Sequence, residues 1–189
     1  PLFVFGRRHV RPRPHIYSPE ELRRLLAAAS QLPAIWPLRP QVFTTLFGLL
    51  ASTGLRVSEA LGLRFGDVTR DGLVIRKTKF NKTRLVPLHQ TAAAALDGYL
   101  ERRRRTSTMS DYVFVSPKGG RLPLPTVSKT FLHLARHAGL RAGPGTPGPR
   151  IHDLRHTFAV RALEACPHGG SPVGWHMRAL STYLGHRNV

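Results

Sequence analysis

Thr53-Gly54-Leu55-Arg56-Val57-Ser58-Glu59 joins two helical patterns, and its reading decides the fold. Upstream, Val42, Phe43, Leu46, Phe47, Leu49 and Leu50 recur at helical spacing. They predict a helix over about 40–53, with Gly54 as its left-handed stop. A short helix is expected next from Val57 to Leu63, ended by Phe65-Gly66-Asp67. Arg56 therefore stands just beyond a helix stop, where its guanidinium reaches the same point as the amide-rich start of the next helix. Glu59, one turn on, is close enough to orient Arg56, although a plain carboxylate at a helix N-terminus reads the same way.

Two other segments carry the same residue types. His152-Asp153-Leu154-Arg155 places an imidazole and a guanidinium three apart, on one helix face. Arg178-Ala-Leu-Ser-Thr-Tyr-Leu-Gly-His186 ends a helical pattern in a histidine. Arginine presents a fixed fork of donors to phosphate oxygens and stays charged. Histidine holds or passes a proton near neutrality. Two arginines and two histidines at helix edges suit the gripping of a phosphate and the stabilising of extra charge on it.

The bulk composition agrees. Against 29 Lys+Arg stand only 10 Asp+Glu, a net charge of +19. Coding bias could favour Arg over Lys but does not explain the scarcity of acids. Such a chain is drawn to nucleic acid or an anionic surface. No apolar run is long enough to span a bilayer, and no secretory signal is visible. The single Cys166 excludes an intramolecular disulfide, which points to a reducing, cytoplasmic setting. With 41% hydrophobic residues over 189 positions, one domain of ordinary size is expected.

Residues 1–17 carry four arginines among prolines and read as a basic linker remnant, with the domain proper at 18–189. Pro1 in place of Met suggests a piece of a longer protein. Ser18-Pro19-Glu20-Glu21 opens a helix with a capping box, its buried stripe at Leu22, Leu25, Leu26 and Ser30. Leu73–Arg76 and Arg84–Leu88 read as strands joined by a polar turn, Lys77 to Thr83, and Pro87 marks an edge. Further helices are expected over 91–105, with a charged tail, and from Val127 to Ala138, closed by Gly139. The last two cover 152–165 and 176–184, and the breaker-rich stretches 141–150 and 167–174 read as loops. The fold class is mainly α with a small antiparallel β-sheet.

Thr53–Glu59, Lys79-Phe-Asn-Lys-Thr-Arg-Leu-Val-Pro-Leu, His152-Asp-Leu-Arg155-His-Thr-Phe-Ala and Leu184-Gly-His186 follow one another in the order and spacing of a known pattern. The chain resembles the catalytic domain of the tyrosine recombinases, the phage-integrase family. That resemblance implies breakage and rejoining of double-stranded DNA through a 3′-phosphotyrosine, without metal, cofactor or external energy. It assigns Arg56 and Arg155 to the non-bridging oxygens and His152 to the proton of the nucleophile. It assigns His186 to the scissile phosphate and Lys79 to the leaving 5′ oxygen. Lys77 and Lys82 compete with Lys79, and Lys77, Lys82 and Arg84 are candidate contacts to the DNA backbone. It also implies a homo-oligomer on DNA for the full-length protein.

The pattern departs at its end. The family's tyrosine lies about nine residues beyond the histidine of Leu-Gly-His, and the sequence stops at Val189. Tyr17, Tyr99, Tyr112 and Tyr183 are the candidates present, and Tyr183 shares a helix with the phosphate clamp, where it packs or caps locally. A chain without its nucleophile, inactive in cleavage, is expected. His156, four after His152, raises a zinc reading, but Asp153 stands where a metalloprotease needs Glu, so His156 reads as a buried structural histidine. Two rival functions are a non-catalytic DNA-binding regulatory module of the same fold and a basic RNA-binding protein.

Overall fold

Ser18, Pro19 and Glu21 start the first helix as the sequence predicts. The computed structural model describes residues 13–76, 83–106, 110–143, 145–166 and 173–185. In α1 (Pro19–Ser30) the Ser18 hydroxyl accepts from Glu21 N at 3.1 Å, and the Glu21 carboxylate accepts from Ser18 N at 2.7 Å. Its inner face is Leu25, Ala28 and Ala29; Ser30 is exposed, so the expected stripe is shifted toward the alanines.

The central element is α2 (Arg39–Thr53), whose Val42, Phe43, Leu46, Phe47, Leu49 and Leu50 are all buried. A helix with apolar residues on most of its circumference must be covered on several sides. Here α1, α4 (Gln90–Arg104) and α6 (Asp153–Glu164) cover it. Phe47 packs edge-on against Phe131 of α5 (Leu124–His137), with ring centroids 5.6 Å apart. Gly54 then takes φ 63°, and α3 (Val57–Gly62) follows.

After a single 3-10 turn (Phe65–Asp67), three antiparallel strands run in order: β1 (Val68–Thr69), β2 (Gly72–Ile75) and β3 (Arg84–Val86). Leu73 pairs with Val86 and Ile75 with Arg84. β1 was not expected, because two residues carry no readable alternation. β3 is an edge, as Pro87 foretold. Gly72 has φ 132°, and a Cβ there would lie 2.3 Å from Val86 O, so this tight crossing requires glycine. Residues 77–82 of the turn lie outside the described residues.

Other boundaries differ from expectation. α7 (Val173–Leu184) includes Gly174, read above as loop. The end of the basic linker is also part of the core. Tyr17 is buried, its N donates to Thr157 Oγ1 at 2.9 Å and its carbonyl accepts from Arg161 at 2.6 Å.

Part of the arginine excess serves the fold. Arg103, in the expected charged tail of α4, is only 1% exposed and donates to Ser110 O at 2.8 Å. Arg24 donates to Ala138 O, and Arg121 to Leu61 O and Ser58 O of α3. Net charge alone therefore overstates the number of cations available to a polyanion. Among the described residues no helix is long and apolar enough to cross a membrane.

Candidate active site

Arg56 is the N-cap residue of α3, with φ −69° and ψ 144°, so its backbone N–H points back over the first turn. Glu59 Oε2 accepts from that N–H at 3.0 Å, while Oε1 accepts from the Arg56 guanidinium at 2.9 Å. Glu59 thus orients Arg56 through both backbone and side chain. It also receives Arg84 of β3 in a fork-on-fork pair, at 3.0 and 2.8 Å. The Glu59 side chain is 8% exposed. Burial would raise its pKa, but the Arg84 and Arg56 hydrogen bonds outweigh that and hold it below the ordinary carboxylate value.

Arg155 comes from α6 to the same place. Its Nη1 donates to Gly54 O at 2.5 Å and its Nη2 to Leu184 O at 2.7 Å. The stop of α2 and the end of α7 together fix the guanidinium. Gly54 is needed twice: for its left-handed φ, and because a Cβ would fall 2.5 Å from Phe158 Cδ1 of α6. Burial, and then the positive charge of Arg56 and of Arg84, push Arg155 down to about 10, with Glu59 opposing. Arg155 remains charged at neutral pH. Glu59 is the anion bonded to Arg56 and Arg84, and the cluster carries excess positive charge.

Gly185 closes the cluster from the far side. Its carbonyl accepts from Arg56 Nη2 at 3.3 Å, and a Cβ on it would sit 3.2 Å from Arg84 Nη1. His186 follows it in sequence but lies outside the described residues, as do Lys77, Lys79 and Lys82. Beside the cluster opens a cleft of about 520 Å3 whose lining includes Arg56, Glu59, Asp67, Ile75, Arg76 and Arg121.

His152 precedes α6 and is exposed. Its ring meets His156 edge-on, with centroids 4.9 Å apart. Partial desolvation, then His156 and Arg155, hold its pKa below the usual histidine value, so the neutral form is favoured near neutrality. Asp153 is buried and accepts from Arg150 N and Nη2, both at 2.9 Å, which pins the start of α6. His156 is half-buried rather than buried, because it covers the His152 ring instead of entering the core.

Three of the four tyrosines place their hydroxyls on backbone carbonyls: Tyr17 on Arg150 O, Tyr99 on Val113 O and Tyr183 on Thr53 O. Tyr183 stands nearest the arginines, but its ring stacks on Phe158 at 5.5 Å and burial raises its pKa. The structure therefore brings Arg56, Glu59, Arg84 and Arg155 together, with His152 at the start of the Arg155 helix. The sequence reading placed Arg84 among candidate contacts to the DNA backbone; in the structure its side chain is only 13% exposed and turned onto Glu59. The signal was present in the strand alternation, since Arg84 and the buried Val86 share a face while Leu85 is exposed.

Comparison with known proteins follows the same lines. The profile described as the phage integrase family matches residues 16–189. The protein y4rB of Sinorhizobium fredii, which carries an integrase/recombinase name, is 43% identical over 95% of this chain and 60% of its own length. The tyrosine recombinase XerD of Mycobacterium tuberculosis is 36% identical over 90% of this chain and 52% of its own length. Among solved structures, XerA recombinase superposes with a TM-score of 0.73 at 30% identity, covering 94% of this chain and 57% of that one. XerH recombinase, bound to its difH substrate before cleavage, gives 0.71 at 24% identity over 94% and 49%, a likeness of fold. The chain spans between half and three fifths of the length of these curated relatives.

Proposed function

The chain belongs to the phage integrase family, and from that premise we propose that it is the breaking-and-rejoining unit of a site-specific tyrosine recombinase acting on double-stranded DNA. Its fold is that of a tyrosine-recombinase catalytic domain. The observation that carries the proposal furthest is the convergence of Arg56 and Arg155 on one cluster, each oriented by backbone carbonyls from other elements. Donors held in place by carbonyls need no reorganisation when charge develops on a phosphorane.

In the proposed reaction a tyrosine oxygen, losing its proton toward His152, attacks the phosphorus of one phosphodiester. Arg56, Arg155 and His186 hold the non-bridging oxygens. The bond from phosphorus to the 5′ oxygen breaks, and that oxygen takes a proton from Lys79. A 3′-phosphotyrosine remains, and attack by a 5′ hydroxyl reverses the sequence. One phosphoester replaces another, which accounts for the expectation of no cofactor.

In the proposed reaction the tyrosine is none of the four in this chain: Tyr17, Tyr99 and Tyr183 are held on backbone carbonyls, and the Arg64 guanidinium lies 4.8 Å over the Tyr112 ring. The chain is proposed to act on DNA as one copy in a homo-oligomer of the full-length protein, in the cytoplasm. The test uses a nicked duplex that traps covalent product. The present chain binds it without forming an adduct, and the product of the whole gene forms a phosphotyrosyl adduct. Structured RNA bound in preference to duplex DNA, or no adduct from the whole gene product, sinks this reading in favour of an RNA-binding protein or a non-catalytic module. An adduct mapped to Tyr183 would reassign the nucleophile.

A further inference from the structure

The sheet and the phosphate clamp meet at one residue, Arg84. It begins β3, a few residues after Lys77, Lys79 and Lys82 in sequence. Its guanidinium takes both oxygens of Glu59, packs against Gly185 and has its Nε buried with no hydrogen-bond partner among the described residues. Glu59 in turn holds the backbone and the side chain of Arg56. A side chain so enclosed does not reach outward to a DNA backbone. We propose that Arg84 is a positioning residue: through Glu59 it sets the direction of Arg56, and it anchors β3, which follows Lys79 in sequence, to the phosphate clamp. This rests on the reading that Arg56 and Arg155 hold the scissile phosphate.

The physical argument is one of restraint. A lone carboxylate can swing about its side-chain torsions, and Arg56 would swing with it. A second guanidinium, bidentate on the same carboxylate, removes that freedom because both oxygens are then fixed in plane. Arg84 comes from a different element than Arg56, so the pair also sets the distance between β3 and the start of α3. Lysine cannot reproduce this, since an ammonium offers a point charge without the fork. Misplacing a transition-state donor by about 1 Å can cost on the order of 100-fold in rate.

The experiment measures single-turnover cleavage of the nicked duplex at saturating whole-gene protein. It compares the parent with Arg84→Gln, Arg84→Lys, Glu59→Gln, the Arg84→Gln/Glu59→Gln pair and Arg155→Ala. Arg84→Gln and Arg84→Lys should each lose on the order of 100-fold in the cleavage step. The double variant should be little worse than either single one, because both singles break the same link. The salt slope of duplex binding should stay that of the parent, since no phosphate contact is lost. The acid limb of the rate profile, which His152 sets, should stay where the parent has it in Arg84→Gln, because neither Arg84 nor Glu59 perturbs that imidazole and the loss is one of rate alone.

Cleavage by Arg84→Gln at the parental rate, with Arg155→Ala inactive, overturns this inference and leaves the function standing. A salt slope reduced by about one contact makes Arg84 a DNA ligand and overturns it as well. Full rescue by Arg84→Lys argues for charge alone and against the fork. A parent that does not cleave removes both readings together. A parental circular dichroism spectrum and a cooperative thermal transition certify that each variant is folded.

Discussion

Glu59→Gln should be a strongly damaging change despite its isosteric shape. It removes the anion bonded to Arg56 and Arg84 and facing Arg155. The carboxylate accepts four hydrogen bonds within 3.0 Å, three of them from guanidiniums and one from Arg56 N. An amide can satisfy one oxygen's worth of these and turns its own N–H groups toward donors. Breaking a buried ion pair by removing one partner costs about 3–5 kcal/mol, because the charges left behind are uncompensated. For a chain of this size that is a drop in Tm of roughly 6–20 °C. The pH dependence has a definite sign. Glu59 has a lowered folded pKa, so its contribution is fully present above its unfolded value of 4.5 and is lost as pH falls through the folded value. The gap between parent and variant should therefore be wide at pH 7 and close below pH 4.5. Urea or thermal unfolding across that range measures it. Duplex affinity should hold or tighten, since the variant has gained a net positive charge. A loss under about 1 kcal/mol at pH 7, or a gap that does not change with pH, would refute the account of the cluster.

Arg155→Ala in the whole gene product should lower cleavage about 100- to 1,000-fold while weakening duplex binding only modestly, measured by single-turnover kinetics and by titration. Gly54→Ala should cost about 2–4 kcal/mol in denaturant unfolding, since it combines left-handed strain with overpacking against Phe158. The rate of adduct formation should fall on acidification at a pH below 6.5, because His152 has a lowered pKa and must be neutral to take a proton. Duplex binding by this chain should weaken steeply from low to physiological salt; a flat response would contradict the reading of its charge.

The parts of this fold legible in sequence are those governed by neighbours in sequence. The capping box at Ser18, the stop at Gly54 and the stripe on α2 each depend on residues within one or two turns. What escaped depends on partners far away. Tyr17 was grouped with a linker because its partner Thr157 lies 140 residues on. Arg103 was grouped with a solvated tail because the carbonyl it serves follows an unread turn. The site divides in the same way. Arg56 and Glu59 share one turn of α3, and their pairing could be read from spacing. Arg84 meets Glu59 across 25 residues and a hairpin, and only strand alternation hinted that it faces inward. Lys79 and His186 lie outside the described residues, so their placement rests on sequence alone.

The pocket's chemistry and its instability have one cause. A guanidinium buried among others, with its pKa driven to about 10, is held at a cost to folding at neutral pH. A surface arginine would carry no such burden, yet it would also be screened and free to turn. The family's chemistry requires positive charge that is neither. Gly54 O, Leu184 O and Glu59 supply the restraint, and each comes from the end or the first turn of a helix. The cluster is therefore assembled only when α2, α3, α6 and α7 are docked together. Any change that loosens α7 against α6 should weaken the Leu184 contact to Arg155 first, well before the core around Phe43 and Phe47 gives way.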